Sequence, residues 1–64
     1  MKVYTVLREY KNSDILVTAY DSYHYALDTY LKEINKINRG IYSNAIGVVL
    51  YEWEKGKPTL LRKM

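Results

Sequence analysis

Sixty-four residues with no cysteine and a single histidine exclude a disulfide scaffold and a cysteine-based zinc site, and leave too few histidines for a His-based metal centre. Ten Lys and Arg against seven Asp and Glu give a formal net charge of +3, scattered along the chain, which is a mild bias rather than a nucleic-acid footprint. A domain this small hides only about 60% of the surface its unfolded chain exposes, so its core needs a supplement, and self-association is the ordinary one left.

The compositional outlier is tyrosine, with eight residues beside Trp53 and no phenylalanine. Tyrosine buries apolar area yet carries a hydroxyl that wants a partner, which suits half-wet surfaces and interfaces. No apolar run approaches the roughly 18 residues of a membrane span, and no leader pattern opens the chain, so a cytoplasmic protein without a membrane partner is expected.

Lys2 to Tyr10 is β-branched and aromatic with alternating character and predicts a strand. Lys11-Asn12-Ser13-Asp14 breaks it with residues that bond their own backbone in turns, so the chain reverses into a second strand over Ile15–Tyr20. From Asp21 to Gly40 the residues Tyr23, Ala26, Leu27, Tyr30, Leu31, Ile34 and Ile37 recur at three- and four-residue steps and form one stripe of an amphipathic helix. Asp21 or Ser22 can accept from its free first-turn amides, Lys36 and Arg39 suit the negative end of its dipole, and Gly40 is placed for a left-handed stop. Ala45 to Glu54 is the most apolar strand candidate and the expected central one. Gly56 then marks a tight hairpin into a fourth strand, Pro58–Met64, whose proline and basic tail suit an edge.

A right-handed crossover through the helix places the third strand beside the first. The expected fold is α+β, a single domain over residues 1–64: a four-stranded antiparallel sheet, β-β-α-β-β in the order 2-1-3-4, with one helix on one face. One helix covers one face, so period two divides the side chains. Ile46, Val48 and Leu50 are assigned to the helix side. Val3, Thr5 and Leu7 join them, because an unpaired buried Arg8 would cost more than a buried hydroxyl, and so do Ile15, Val17 and Ala19. The open face then collects Tyr4, Val6, Arg8, Tyr10, Leu16, Tyr20, Val49, Tyr51 and Trp53. Such an aromatic patch around a guanidinium calls for an occupant, and Tyr, Trp and Arg are the residue types enriched at interface hot spots. The expected contact surface is Tyr4, Arg8, Tyr10, Tyr20, Val49, Tyr51 and Trp53, with Arg8, Tyr51 and Trp53 as anchors, used for a homodimer or a protein partner.

Little in the chain points to catalysis. His24 lies on the polar side of the first helical turn with no nucleophile in view, and Asp21 and Asp28 make it a solvated histidine near acids. Glu52 and Glu54 share a strand face as paired carboxylates would, but are expected to meet Arg62 and Lys63 across the last hairpin. No phosphate loop, nucleophile elbow or metalloprotease motif appears. A non-enzyme with no cofactor, no metal and no catalytic residue is expected. The alternative is a single-stranded nucleic-acid binder that stacks bases on the sheet aromatics, helped by Lys32, Lys36, Arg39, Lys55, Lys57, Arg62 and Lys63. A small-ligand site at a dimer seam is a third option.

Lys2-Val3-Tyr4, a hairpin, and then Tyr20-Asp21-Ser22 followed by Ala26-Leu27 and Tyr30-Leu31 resemble a loose group of small proteins encoded by tailed phages and their bacterial hosts. The likeness covers the first half of the chain and carries no functional residues. What it implies is a setting, the cytoplasm of a bacterial host cell, in which such proteins bind and block a host enzyme or defence component. An interaction module acting as a phage-encoded inhibitor of a bacterial host factor is the expectation that follows.

Overall fold

The computed structural model describes residues 1–64. Strand β1 (Lys2–Glu9) is followed by β2 (Asp14–Tyr20), helix α1 (Tyr23–Asn38), β3 (Gly47–Glu54) and β4 (Lys57–Lys63). The strands form one antiparallel sheet in the order β2-β1-β3-β4, and α1 packs on one face of it.

Local chemistry sets the joints. Between β3 and β4, Lys55 and Gly56 both have positive φ, 54° and 77°, the pairing that a two-residue type I′ hairpin demands. The helix stops in a Schellman arrangement: Gly40 at φ 78° donates to the Ile37 carbonyl at 3.0 Å, and Ile41 donates to that of Lys36 at 3.0 Å. At the other end Ser22 is the N-cap, with extended backbone and its carbonyl accepting from the Ala26 amide, but its hydroxyl does not make the expected capping bond.

Each edge strand carries one extra residue. In β2 the register passes from Val6 opposite Thr18 to Leu7 opposite Leu16, leaving Val17 over; in β4 it passes from Leu50 opposite Arg62 to Tyr51 opposite Leu60, leaving Leu61 over. These bulges break period two halfway along both edges.

The core between helix and sheet consists of Val6, Val48 and Leu50 beneath Ala26 and Tyr30, with Tyr4, Val17, Tyr23, Leu27, Ile34 and Ile37 packed around them. Leu31, expected in the stripe, is 54% exposed, and Glu33 takes a buried place on it instead. Glu33 lies seven residues after Ala26 and three after Tyr30, so the helical repeat carries it onto the same line.

That glutamate reverses the expected sides of β1. Tyr4, Val6 and Arg8 face the helix, whereas Val3, Thr5 and Leu7 line the open face, because Arg8 finds a carboxylate waiting above it and pays no penalty for an unpaired charge. In β2, Tyr20 stands opposite Tyr4 and its ring meets Tyr25 of the helix at 5.9 Å, so it too leaves the open face, and Ala19 takes the open side with Leu16. The reading of β3 holds for Val48 and Leu50 on the helix side and for Val49, Tyr51 and Trp53 on the open side. Ile46 falls outside the strand and is exposed.

Candidate functional site

Two constellations separate what the sequence placed on a single surface. The first is the cluster around Arg8. Its Nη1 donates to Glu33 Oε1 at 2.7 Å and its Nε to the Tyr10 hydroxyl at 2.8 Å, while the guanidinium lies 3.8 Å from the centroid of the Tyr42 ring. Lys36 approaches the other Glu33 oxygen at 3.6 Å. With side-chain exposures of 15% and 4%, Arg8 and Glu33 form a nearly enclosed ion pair roofed by tyrosine. Burial works against the Arg8 charge, yet the Tyr10 and Glu33 bonds outweigh it and hold Arg8 above its usual range. No buried side-chain oxygen or nitrogen here lacks a partner, and the cluster ties the helix to the sheet. Three of the anticipated contact residues, Arg8, Tyr10 and Tyr4, belong to this helix side, Tyr4 through its edge-on contact with Tyr23 at 5.7 Å. Tyr20 belongs there as well.

The second constellation is the open face, which no helix covers. Three rows of side chains cross it in register: Leu16, Leu7, Val49 and Lys63; Ala19, Thr5, Tyr51 and Leu60; Val3, Trp53 and Pro58. Val49, Tyr51 and Trp53 stand here as anticipated. The Trp53 indole N–H donates to the Thr5 hydroxyl at 2.9 Å, and the Tyr51 and Trp53 rings lie 6.4 Å apart. The Thr5 hydroxyl in the middle of the face is thus engaged, and the indole donor with it. Leu16 and Leu60 are 58% and 50% exposed, whereas Val49, a short side chain at the centre, is only 2% exposed. Lys63 is the single cation in these rows. At the end of the face beyond Leu7, Glu9 and Asp14 stand paired, and the missing side chain of Gly47 lets the Glu9 carboxylate lie across β3: a Cβ there would sit 3.0 Å from Glu9 Oε1.

The residues that sequence reasoning missed here are Leu7, Leu60 and Val3. For Leu7 and Val3 the signal was Glu33, the partner that draws Arg8 inward, whereas the side of Leu60 follows from its register opposite Tyr51 past the bulge.

The remaining candidates do not assemble. His24 is exposed, its ring 6.0 Å from that of Tyr23, and no group of three or more His, Asp or Glu side chains converges anywhere in the chain. Glu52 meets Lys2 at 3.3 Å and the Tyr4 hydroxyl at 3.3 Å, and Glu54 pairs in register with Lys57, so neither meets Arg62 or Lys63. Arg62 donates to the Tyr23 hydroxyl at 3.1 Å instead. An open hollow between the loops at residues 10–13 and 43–46 mixes the apolar Tyr10, Ile15, Ala45 and Ile46 with Asn12, Ser13, Ser43 and Asn44, and Lys11 is its one charge. No helix is long and apolar enough to cross a membrane. Compared with protein-family models, curated proteins and solved structures, the chain matches none.

Proposed function

We propose that this chain is a small non-enzymatic interaction module whose contact surface is the open sheet face around Leu7, Val49, Tyr51, Trp53 and Leu60. The observation that carries the reading is the chemistry of that face: three rows of apolar and aromatic side chains with one lysine at the border. A patch of this kind costs free energy while it faces water, and aromatic residues seated among aliphatic ones suit a desolvated protein contact. Both edge strands carry bulges and β4 opens with Lys57 and Pro58, features that blunt strand addition, which favours the face over the edges.

A protein occupant fits better than nucleic acid. Arg8, the guanidinium that would have steadied a phosphate among the aromatics, is turned inward and engaged with Glu33. Stacking platforms for single strands need cations interleaved with the rings, and only Lys63 borders them here. In the bacterial setting that the resemblance implies, the target is a host or defence protein that the module binds and occludes in the cytoplasm. The test is capture from bacterial lysate by the native chain, by the double variant Leu16→Glu with Leu60→Glu, and by a Lys32→Glu control on the far side of the helix. Capture should be lost in the double variant, kept in the control and little affected by salt. Binding indifferent to the face variants would sink the reading, and affinity that collapses between low and moderate salt would replace it with nucleic-acid binding.

A further inference from the structure

We propose that the open face is the seat of a second copy of this chain, joined through a two-fold axis that lies between the sheets and runs parallel to the strands, midway between β1 and β3. This rests on the reading of the face as a protein contact surface and names its occupant. Sheets packed in alignment keep their strands within about 30° of one another, as such an axis does. The axis exchanges β2 with β4 of the other copy and β1 with its β3, so the in-register rows dictate which side chains meet. Small lies over large in two of the three rows, Ala19 over Leu60, Thr5 over Tyr51 and Val3 over Trp53, with Leu7 over Val49 in the remaining row. A self-associating surface must be complementary to itself under its own symmetry, and this face is.

The charges obey the same operation. Lys63, alone on the β4 border, is carried over the β2 border at Leu16, next to Asp14 and Glu9. Each copy therefore places its one cation beside the other copy's acidic corner, twice per dimer. A second arrangement, with the axis across the strands, lays each strand over its own copy in reverse, which carries Glu9 over Val3 and leaves that charge facing an apolar group. Four strands span about 19 Å and the rows about 20 Å, so two copies bury on the order of 1,000 Å² in all, the lower end for a specific interface. An interface of that size suits a weak, reversible dimer.

Sedimentation velocity and equilibrium across about 1 to 500 µM test it. The native chain should pass from 7.6 kDa to twice that mass. Lys63→Glu and Asp14→Lys should each weaken self-association about tenfold or more. An equimolar mixture of the two variants should dimerise at least as well as the native chain, because the axis then sets opposite charges against each other at both corners. Leu16→Glu with Leu60→Glu should hold the chain at 7.6 kDa with an unchanged far-ultraviolet circular dichroism spectrum. A native chain that stays monomeric throughout overturns the second copy; if the same face variants still abolish capture of a target, the broader reading survives, and if they do not, both fall. A dimer indifferent to the leucine variants, or charge variants that fail to complement each other, would show that the copies meet by another surface.

Discussion

Glu33 is the residue on which the distribution of side chains turns. An acid at a buried helical position needs a cation, and the facing strand supplies Arg8 at 2.7 Å. Removing one member leaves the other charged and enclosed, so Glu33→Ala should lower the unfolding free energy by about 3 kcal/mol. Replacing both with apolar residues, Arg8→Met with Glu33→Leu, should return it to within about 1 kcal/mol of the native value. Urea melts of the three chains check the contrast, and equal losses in the single and the double variant would contradict it. Tyr30 makes stability depend on pH. Burial raises its phenol above the usual 10.0, partly opposed by Arg62. A group whose folded value is raised contributes stability that is complete below its unfolded value and is lost as pH rises through the folded one. Stability should therefore fall above pH 10.0, and Tyr30→Phe should flatten part of that decline while changing little at pH 7. Tyr20 works in the opposite sense, its phenol lowered by the hydroxyls of Thr18 and then Thr29, so thermal melts of Tyr30→Phe and Tyr20→Phe across the alkaline range separate the two contributions.

At the scale of elements, turns and edges decide how the faces are built. Lys55 occupies the first position of the type I′ turn at φ 54°, where a side chain with a Cβ is mildly strained. Asparagine tolerates this region better, so Lys55→Asn should raise stability by roughly 0.5 kcal/mol. Gly40→Ala, at φ 78° in the helix stop, should cost about 1 kcal/mol. Chemical denaturation measures both, and opposite signs are the expected result. The bulges matter more for function than either turn. Val17 is the extra residue that lets Leu16 and Ala19 both reach the open face while Tyr20 turns to the helix, a pairing that strict alternation forbids.

For the whole molecule the decisive quantity is coverage. Eight of 64 residues are buried, and the core proper is a single layer between one helix and one face of the sheet. The other face is apolar yet open, so any protein seated there adds a second layer of core. Two consequences follow. The midpoint of thermal unfolding should rise with chain concentration, since a dimer is stabilised by mass action. A target bound on the same face should compete with the second copy, so adding it should convert dimer to a complex with a single chain. Concentration-independent melting would argue against self-association in the folded state.

Local periodicity and turn chemistry were enough to derive the element order, the placement of Val48 and Leu50 against Val49, Tyr51 and Trp53, and the stop at Gly40, because each depends on neighbours within a few residues, and the handedness of the crossover added the sheet order 2-1-3-4. The sides of β1 and β2 were decided only in the assembled fold. Whether Arg8 lies inside depends on a carboxylate 25 residues away, and whether Tyr20 faces the helix depends on a bulge set by cross-strand registry. A buried charge has no defined cost until its partner is in place, and a strand's alternation has no fixed phase until its neighbour sets one. The open face kept its apolar middle through the exchange, since hydrophobic residues occupy both sides of β1 and the pair with Glu33 took the Arg8 guanidinium out of it, leaving Glu9, Asp14 and Lys63 at its borders.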